Sequence, residues 1–231
     1  MLDLLSFCRQ TFCNIRDLVT PTECIICHKK ISHTDICDTC LCAMDEDKID
    51  EPLPYAEEYG VNKYNAFYKY ESDIVKKALF FMKKNEIDRV FRHFSLRLTG
   101  LVRNFDISEE CIFVNVPRSK VGLSEYGFDQ GELLAKMSAR YCDNAKYLRL
   151  LKRRGFSDTQ KSLKSKERKS NVMGKFKIRR KLIPKDFSHS IVIFDDMCAT
   201  GSSIKECVKI ISSEYPKAKL YAVTIAHTTL K

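Results

Sequence analysis

The chain has 231 residues and carries 40 Lys and Arg against 30 Asp and Glu, a net charge of +10. That length holds one full α/β core and a small appendage. No apolar run approaches the ~20 residues of a membrane-spanning helix, so no transmembrane segment is expected, and the protein is expected to be soluble and cytoplasmic.

The first segment is apolar through Leu2, Leu4, Leu5, Phe7, Phe12, Ile15 and Leu18. A helix packed on its own domain and a helix resting peripherally on a membrane surface both account for it. Residues 1–12 contain no cleavable secretory pattern. Next come Cys24, Cys27, Cys37 and Cys40, spaced Cys-x2-Cys-x9-Cys-x2-Cys. Two such knuckles can set four thiolates tetrahedrally about one ion, so a structural Zn2+ is expected there. Disulfides and a redox pair are the alternatives, but nothing indicates an oxidising compartment and a redox pair does not require a second knuckle. His28, His33 and Cys42 lie near enough to replace one ligand and are left outside the set. The other cysteines, Cys8, Cys13, Cys42, Cys111, Cys142, Cys198 and Cys207, suit small core hydrophobes. Cys198 is the exception, because its place ahead of a helix amino terminus predicts a lowered thiol pKa.

From position 45 to 58 seven acids meet the single base Lys48, with Pro52 and Pro54 among them. That composition predicts a linker leaving the cysteine module, which divides the chain into an N-terminal helix and zinc module at 1–58 and an α/β domain at 59–231. Residues 72–84 and 88–104 have the apolar spacing of amphipathic helices joined by a short turn. Residues 111–116 form a buried strand that runs into Pro117, Arg118, Ser119 and Lys120. A loop of that kind can present backbone donors and cations to a pyrophosphate. Residues 130–141, with Leu133, Leu134, Met137 and Tyr141 at helical spacing, should pack on the sheet.

Between 146 and 185 there are sixteen Lys and Arg and only Asp158 and Glu167 as acids, more positive charge than the whole chain's net +10. A field of that size attracts polyanions. Cations and aromatics interleave in Lys152-Arg153-Arg154-Gly155-Phe156 and in Gly174-Lys175-Phe176-Lys177-Ile178-Arg179-Arg180, which suits backbone neutralisation and base stacking on a single strand. Lys152, Arg153, Arg154, Lys175, Lys177, Arg179 and Arg180 are therefore candidate nucleic-acid contacts. A solvated loop with Phe176 in the core is the alternative.

Residues 191–203 carry the most chemistry. Ile191, Val192, Ile193 and Phe194 form a β-branched-rich run expected of a strand buried on both faces of a parallel sheet. Asp195 and Asp196 follow at its carboxyl end, where open α/β sheets bind ligands. Ala199, Thr200, Gly201, Ser202 and Ser203 then turn into a helix patterned on Ile204, Cys207, Val208 and Ile211. Unpaired amides at a helix amino terminus favour a phosphate, and two adjacent carboxylates can accept from a vicinal diol. Together these groups describe a site for a phosphorylated ribose. An ordinary strand followed by a capped helix explains the same residues. Residues 218–226 are expected to be a further strand.

The stretch 191–203 resembles the phosphoribosyl pyrophosphate motif of type I phosphoribosyltransferases, with Ser203 in place of the final threonine. Over residues 20–228 the order of features resembles the ComF/GntX competence proteins of the phosphoribosyltransferase-like superfamily. The features are the four-cysteine module, a Tyr-rich segment leading to a helix from Ile74 to Lys83, Val116-Pro117, Tyr126-Gly127-Phe128-Asp129-Gln130, Gln160 with Leu163, then Arg168, Asn171 and Phe176, and finally the acid pair with its loop. The family's usual Arg-Gly-Phe-Asn-Gln is altered here at its first and fourth positions. The resemblance implies a type I phosphoribosyltransferase-like parallel sheet with flanking helices, a basic flap at about 146–185, and phosphoribosyl pyrophosphate bound with Mg2+. It also implies handling of single-stranded DNA during natural transformation, beside a DNA-translocation channel or helicase. The alternative it leaves open is a phosphoribosyltransferase acting on an unknown acceptor. No catalytic residue is identified, and Asp129, Glu125 and His227 are the groups that could accept a proton.

Overall fold

The computed structural model describes residues 22–31, 35–154, 176–179, 183–184 and 186–228. Strands β1 (Thr22–Glu23) and β2 (Lys30–Ile31) pair antiparallel, and α1 (Asp38–Asp45) and the single turn α2 (Ala56–Tyr59) follow. Then come β3 (Lys63–Lys69), α3 (Asp73–Lys84), α4 (Asp88–Arg103), β4 (Cys111–Asn115), α5 (Lys120–Tyr126), α6 (Gln130–Ala139) and β5 (Ala145–Tyr147). The chain continues through β6 (Leu151–Arg153), β7 (Phe176–Ile178), β8 (Ser190–Cys198), α7 (Ser202–Glu214) and β9 (Lys219–His227). Five strands form one sheet in the order β3-β9-β8-β4-β5, each neighbouring pair parallel. β6 and β7 form a separate antiparallel ribbon.

The apolar run in β8 explains how the sheet is covered. Successive strand side chains point to opposite faces, so Val192 and Phe194 pack with Phe91, Phe94 and Leu98 of α4 and Leu134 and Ala135 of α6. Ile191 and Ile193 pack on the other face with Ile204, Cys207, Val208 and Ile211 of α7. The predicted helices at 72–84 and 88–104 are α3 and α4. Ser72 caps α3 by accepting from the Val75 amide at 3.5 Å. Among the described residues, no helix is long and apolar enough to cross a membrane.

The cysteine module is tied to this sheet. Cys24, Ile36, Cys40 and Met44 share the core of α3 and α4. Arg89 pairs with Asp35 at 3.1 Å, while the Arg97 guanidinium and the Tyr68 hydroxyl donate to Asp45 Oδ1 at 3.3 and 3.1 Å. Part of the acidic segment lies along β3, with Ile49 N donating to Phe67 O and Lys69 N to Asp47 O, both at 2.9 Å. It thereby covers backbone groups that an edge strand would otherwise leave unpaired.

The connections place the crevice. From β4 the chain passes through α6 on one face to β5 on one side, and from β8 it passes through α7 on the other face to β9 on the opposite side. β4 and β8 are neighbours, so the two connections diverge and leave a gap above their carboxyl ends, where open α/β sheets bind ligands.

Candidate functional site

β8 does not stop at the apolar run, as the sequence suggested. It continues through Asp195 and Asp196 to Cys198, because β9 supplies partners that far: Asp195 faces Thr224, and Cys198 faces His227. On its other side β4 pairs only to Phe194. The acid pair therefore lies where one neighbour continues and the other has turned away, and both acids line the gap. Asp195 Oδ1 accepts from the Asp196 amide at 2.9 Å. Burial and the neighbouring Asp196 carboxylate push the Asp195 carboxyl well above its ordinary range, against the pull of that amide and of Lys83. Lys83, from the last turn of α3, lies 3.3 Å from Asp196 Oδ2.

The turn after β8 is shaped by a ring. Gly201 has φ +66° and directly precedes α7, which begins without a side-chain cap. A Cβ at Gly201 would come within 2.2 Å of Cε1 of Tyr59. Tyr59 is held by stacking on Tyr55 with centroids 5.6 Å apart, by an edge contact with Tyr64, and by its hydroxyl, which accepts from Cys198 Sγ at 3.5 Å. Gly201→Ala is therefore expected to cost about 2–4 kcal/mol, combining left-handed backbone strain with overpacking. Thermal unfolding of the variant checks this, and an unchanged melting temperature would mean the ring moves freely. Burial raises the Cys198 thiol pKa, although hydrogen bonding to Tyr59 and Tyr64 opposes the rise. The lowered pKa expected from its position is thus overturned: Cys198 is the last residue of β8, buried behind the turn.

The opposite wall is the segment after β4. Pro117, Arg118 and Ser119 line the same gap as Asp195, Asp196 and Ser203, together with Gly122, Glu125, Tyr126, Asp129, Gln130 and Arg153, enclosing about 380 Å³. Ser119 is occupied as the cap of α5, accepting from the Gly122 amide at 3.0 Å. Lys120 starts that helix. Asp129 accepts from the amides of Arg118 and Glu132 at 3.0 and 3.1 Å and from Asn115 Nδ2 at 3.3 Å. Three donors converge on its two oxygens, which explains why a carboxylate suits a position where the resembled family has Asn: an amide NH2 could accept none of them. Burial nevertheless raises the Asp129 carboxyl pKa, partly offset by those amides.

The residues foreseen for a phosphoribosyl ligand are thus brought together only in part. Asp195, Asp196, Ser203, Pro117, Arg118 and Ser119 line the cleft; Ala199, Thr200, Gly201 and Ser202 form the adjoining turn but are not among its lining residues. Thr200 and Ser202 bond to each other, hydroxyl to hydroxyl, at 2.6 Å. His227 lies away from the cleft, buried against Tyr64, whose hydroxyl is 2.9 Å from Nδ1.

The basic segment divides. Lys152, Arg154, Lys177 and Arg179 are exposed on or beside the β6–β7 ribbon. Arg153 is different: its Nε donates to Pro117 O at 2.9 Å, its guanidinium lies 5.0 Å from the centre of the Phe176 ring, and it lines the cleft. Alternation along the strand turns it inward, so Arg153 leaves the nucleic-acid set and joins the cleft. Phe176 is fully buried and presents no stacking face. Lys175 and Arg180, like Gln160, Leu163, Arg168 and Asn171, lie outside the described residues.

Lys83, Gln130 and Tyr126 escaped the sequence-based site set. Tyr126 and Gln130 belong to the Tyr-Gly-Phe-Asp-Gln stretch and Lys83 ends the helix from Ile74, both of them features of the resemblance, but no local spacing set these three side chains apart.

Cys24, Cys27, Cys37 and Cys40 form a separate centre. Their sulfurs all lie within 4.8 Å of one another, and those of Cys27 and Cys37 are 3.6 Å apart. A tetrahedral Zn2+ with bonds of ~2.3 Å holds its sulfurs about 3.8 Å apart, so this donor set fits the ion. Burial pushes the Cys24 thiol up, but amide hydrogen bonds from Cys27, Cys37 and Ile26 help bring it down to about 6. Burial and the neighbouring thiols hold Cys40 far above the ordinary range. A bound cation would resolve that asymmetry by favouring all four thiolates.

No protein-family model matches the chain, and no curated protein matches it. Solved structures are similar to it, two of them as follows. One is Helicobacter pylori xanthine-guanine-hypoxanthine phosphoribosyltransferase, 16% identical with a TM-score of 0.37, aligned over 61% of this chain and 75% of that one. The other is the AQ2163 protein from Aquifex aeolicus, 12% identical with a TM-score of 0.41, aligned over 71% of this chain and 86% of that one.

Proposed function

We propose that the cleft binds a phosphoribosyl ligand, either phosphoribosyl pyrophosphate or a related sugar phosphate. The observation that carries this is convergence: the acid pair of β8, Ser203 of α7 and the Arg118 segment after β4 line one gap. Sugar hydroxyls would donate to Asp195 and Asp196, and a 5-phosphate would meet the amides and hydroxyls at the start of α7. Arg118 and Arg153 would face the pyrophosphate. Mg2+, when bound, would offset pyrophosphate charge. Among the described residues the four cysteines are the one group of three or more candidate ligands, so oxygens of the bound ligand would have to complete that ion's coordination. The deciding measurement is a titration with phosphoribosyl pyrophosphate and Mg2+ followed by thermal unfolding, and no shift at saturating ligand would reject the assignment.

The finer role we propose is handling of single-stranded DNA during natural transformation, on the cytoplasmic side and beside a translocation channel or helicase. Its support is the ribbon, where Lys152 and Lys177 stand directly opposite each other and are both exposed. Like charges so placed repel, and a polyanion between them would remove the repulsion. Lys152→Gln with Lys177→Gln should weaken binding to an oligonucleotide and reduce the log–log salt slope by ~0.7 per lost contact. An unchanged slope would place the DNA surface elsewhere.

The second reading is a phosphoribosyltransferase. Glu125 and Asp129 both line the cleft, so a group able to accept a proton from a nucleophile is at hand. Pyrophosphate release measured with and without single-stranded DNA separates the two: turnover favours the enzyme, and ligand-induced stabilisation without turnover favours a binding role.

A further inference from the structure

The four cysteines of the metal centre do not face solvent equally. Cys24, Cys37 and Cys40 are buried, with 0%, 7% and 6% of their surface exposed, whereas Cys27 is exposed. Cys27 stands in the turn between β1 and β2, which closes with the His28 amide donating to Cys24 O at 2.9 Å and His28 in the left-handed region at φ +59°. Cys37 belongs to the other knuckle, directly ahead of α1, and its amide donates to Cys24 Sγ at 3.4 Å. Across the two knuckles the sulfurs of Cys27 and Cys37 lie 3.6 Å apart. A disulfide holds its sulfurs at about 2.05 Å, so this pair joins after closing by only about 1.5 Å.

The module also has anchors that need no ion. Met44 lies in the core with α3 and α4, Asp45 accepts from Arg97 and Tyr68, and Asp35, just before the second knuckle, pairs with Arg89. A bond between Cys27 and Cys37 would tie the turn after β1 to the start of α1, so a covalent bridge replaces the one made through the metal and the parts stay registered for its return.

Resting on the zinc assignment above, we propose that the module is a peroxide-sensitive switch in which Cys27 is the sulfur attacked and Cys37 the one that resolves it, with reversible loss of the ion. A peroxide reaches a sulfur only from an open side, and among the four only Cys27 offers one. Its thiolate sulfur attacks one oxygen of hydrogen peroxide; the O–O bond breaks, the displaced hydroxide takes up a proton and leaves as water, and Cys27 becomes a sulfenic acid. The Cys37 thiolate then attacks the Cys27 sulfur; the S–S bond forms, the S–O bond breaks, and hydroxide again leaves as water after taking a proton. In sum two thiolates, one hydrogen peroxide and two protons give one disulfide and two waters, and the two electrons come from the two sulfurs. Half of the donor set is then gone, and a disulfide sulfur is no longer the thiolate that the ion requires. A dithiol reductant reverses the change. Cys42 is exposed on α1 but lies outside the donor set and takes no part.

The test exposes the zinc-loaded full chain to hydrogen peroxide with a colorimetric zinc indicator present. Zinc is expected to leave in step with formation of a Cys27–Cys37 disulfide, read by peptide mass mapping, and a cyclic diketone that traps sulfenic acids should label Cys27 before that bond forms. A dithiol with added Zn2+ should restore the starting chain. Cys42→Ser should behave as the unmodified protein. Cys27→His keeps a nitrogen donor for the ion and is expected to hold zinc while losing its peroxide-driven release. Release from zinc-loaded Cys27→His at the unmodified rate overturns the proposal, as does zinc retained after peroxide, first trapping at a buried cysteine, or a disulfide joining any other pair. If Cys27→His binds no zinc, trapping and mapping on the unmodified chain decide alone. Reduced, unmodified protein that takes up no zinc rejects the metal assignment itself, and the switch with it.

Discussion

Replacing Asp195 and Asp196 together by Asn abolishes the stabilisation conferred by a phosphoribosyl ligand while the free protein still folds. At a ligand concentration 100 times Kd, binding contributes about 2.7 kcal/mol, which for a chain of this size raises the melting temperature by roughly 5–10 °C; the double variant should show none of that rise. Ligand stabilisation that survives the substitution would move the site elsewhere. The free protein carries a second signature. The Asp195 carboxyl pKa is raised well above its usual value by burial and by Asp196, so the folded chain holds that proton more tightly than the unfolded chain, whose Asp titrates near ~3.9. Stability therefore falls as pH rises from about 4 through the raised pKa, and above that the penalty is complete. Asp195→Asn alone should raise the free protein's melting temperature at neutral pH, with the gain shrinking toward about pH 4. Calorimetry across that range reads the difference directly, and an equal gain at every pH would mean packing rather than charge is relieved.

Loss of the metal centre is the other large effect. One Zn2+ per chain is expected by elemental analysis, falling to none in Cys24→Ser with Cys40→Ser. Cys24 and Cys40 belong to the same core as α3 and α4, so opening the module also uncovers the sheet's helical layer. Loss of a structural metal belongs to the class of changes that exceed about 4 kcal/mol, equivalent to roughly 8–16 °C in melting temperature here. A chelator should reproduce the drop in the unmodified protein. Full stability without metal would show that sulfur packing alone holds the module.

The ribbon shows why composition did not separate one residue from its neighbours. Lys152, Arg153 and Arg154 read as one basic block, but a strand sends alternate side chains to opposite sides, and only Arg153 reaches Pro117 and Phe176. The acid pair was legible because β8 announces itself by four apolar residues followed by two charges. Its true length was not, since the strand continues only where β9 pairs with it.

Local spacing by itself determined the cysteine cluster, the two helices before β4, the buried strands and the acid pair that follows the apolar run of β8, because each depends on periodicity or on groups a few positions apart. Only the tertiary structure decided what faces those acids. Lys83, Gln130 and Arg153 arrive from a helix end, a helix start and a ribbon that are far apart in the chain. Tyr59 requires glycine at position 201 from more than a hundred residues away. Such partners leave no mark on neighbouring positions; they are set by the divergence of the chain after β4 and β8, which opens one cleft and fixes which side chains can enter it.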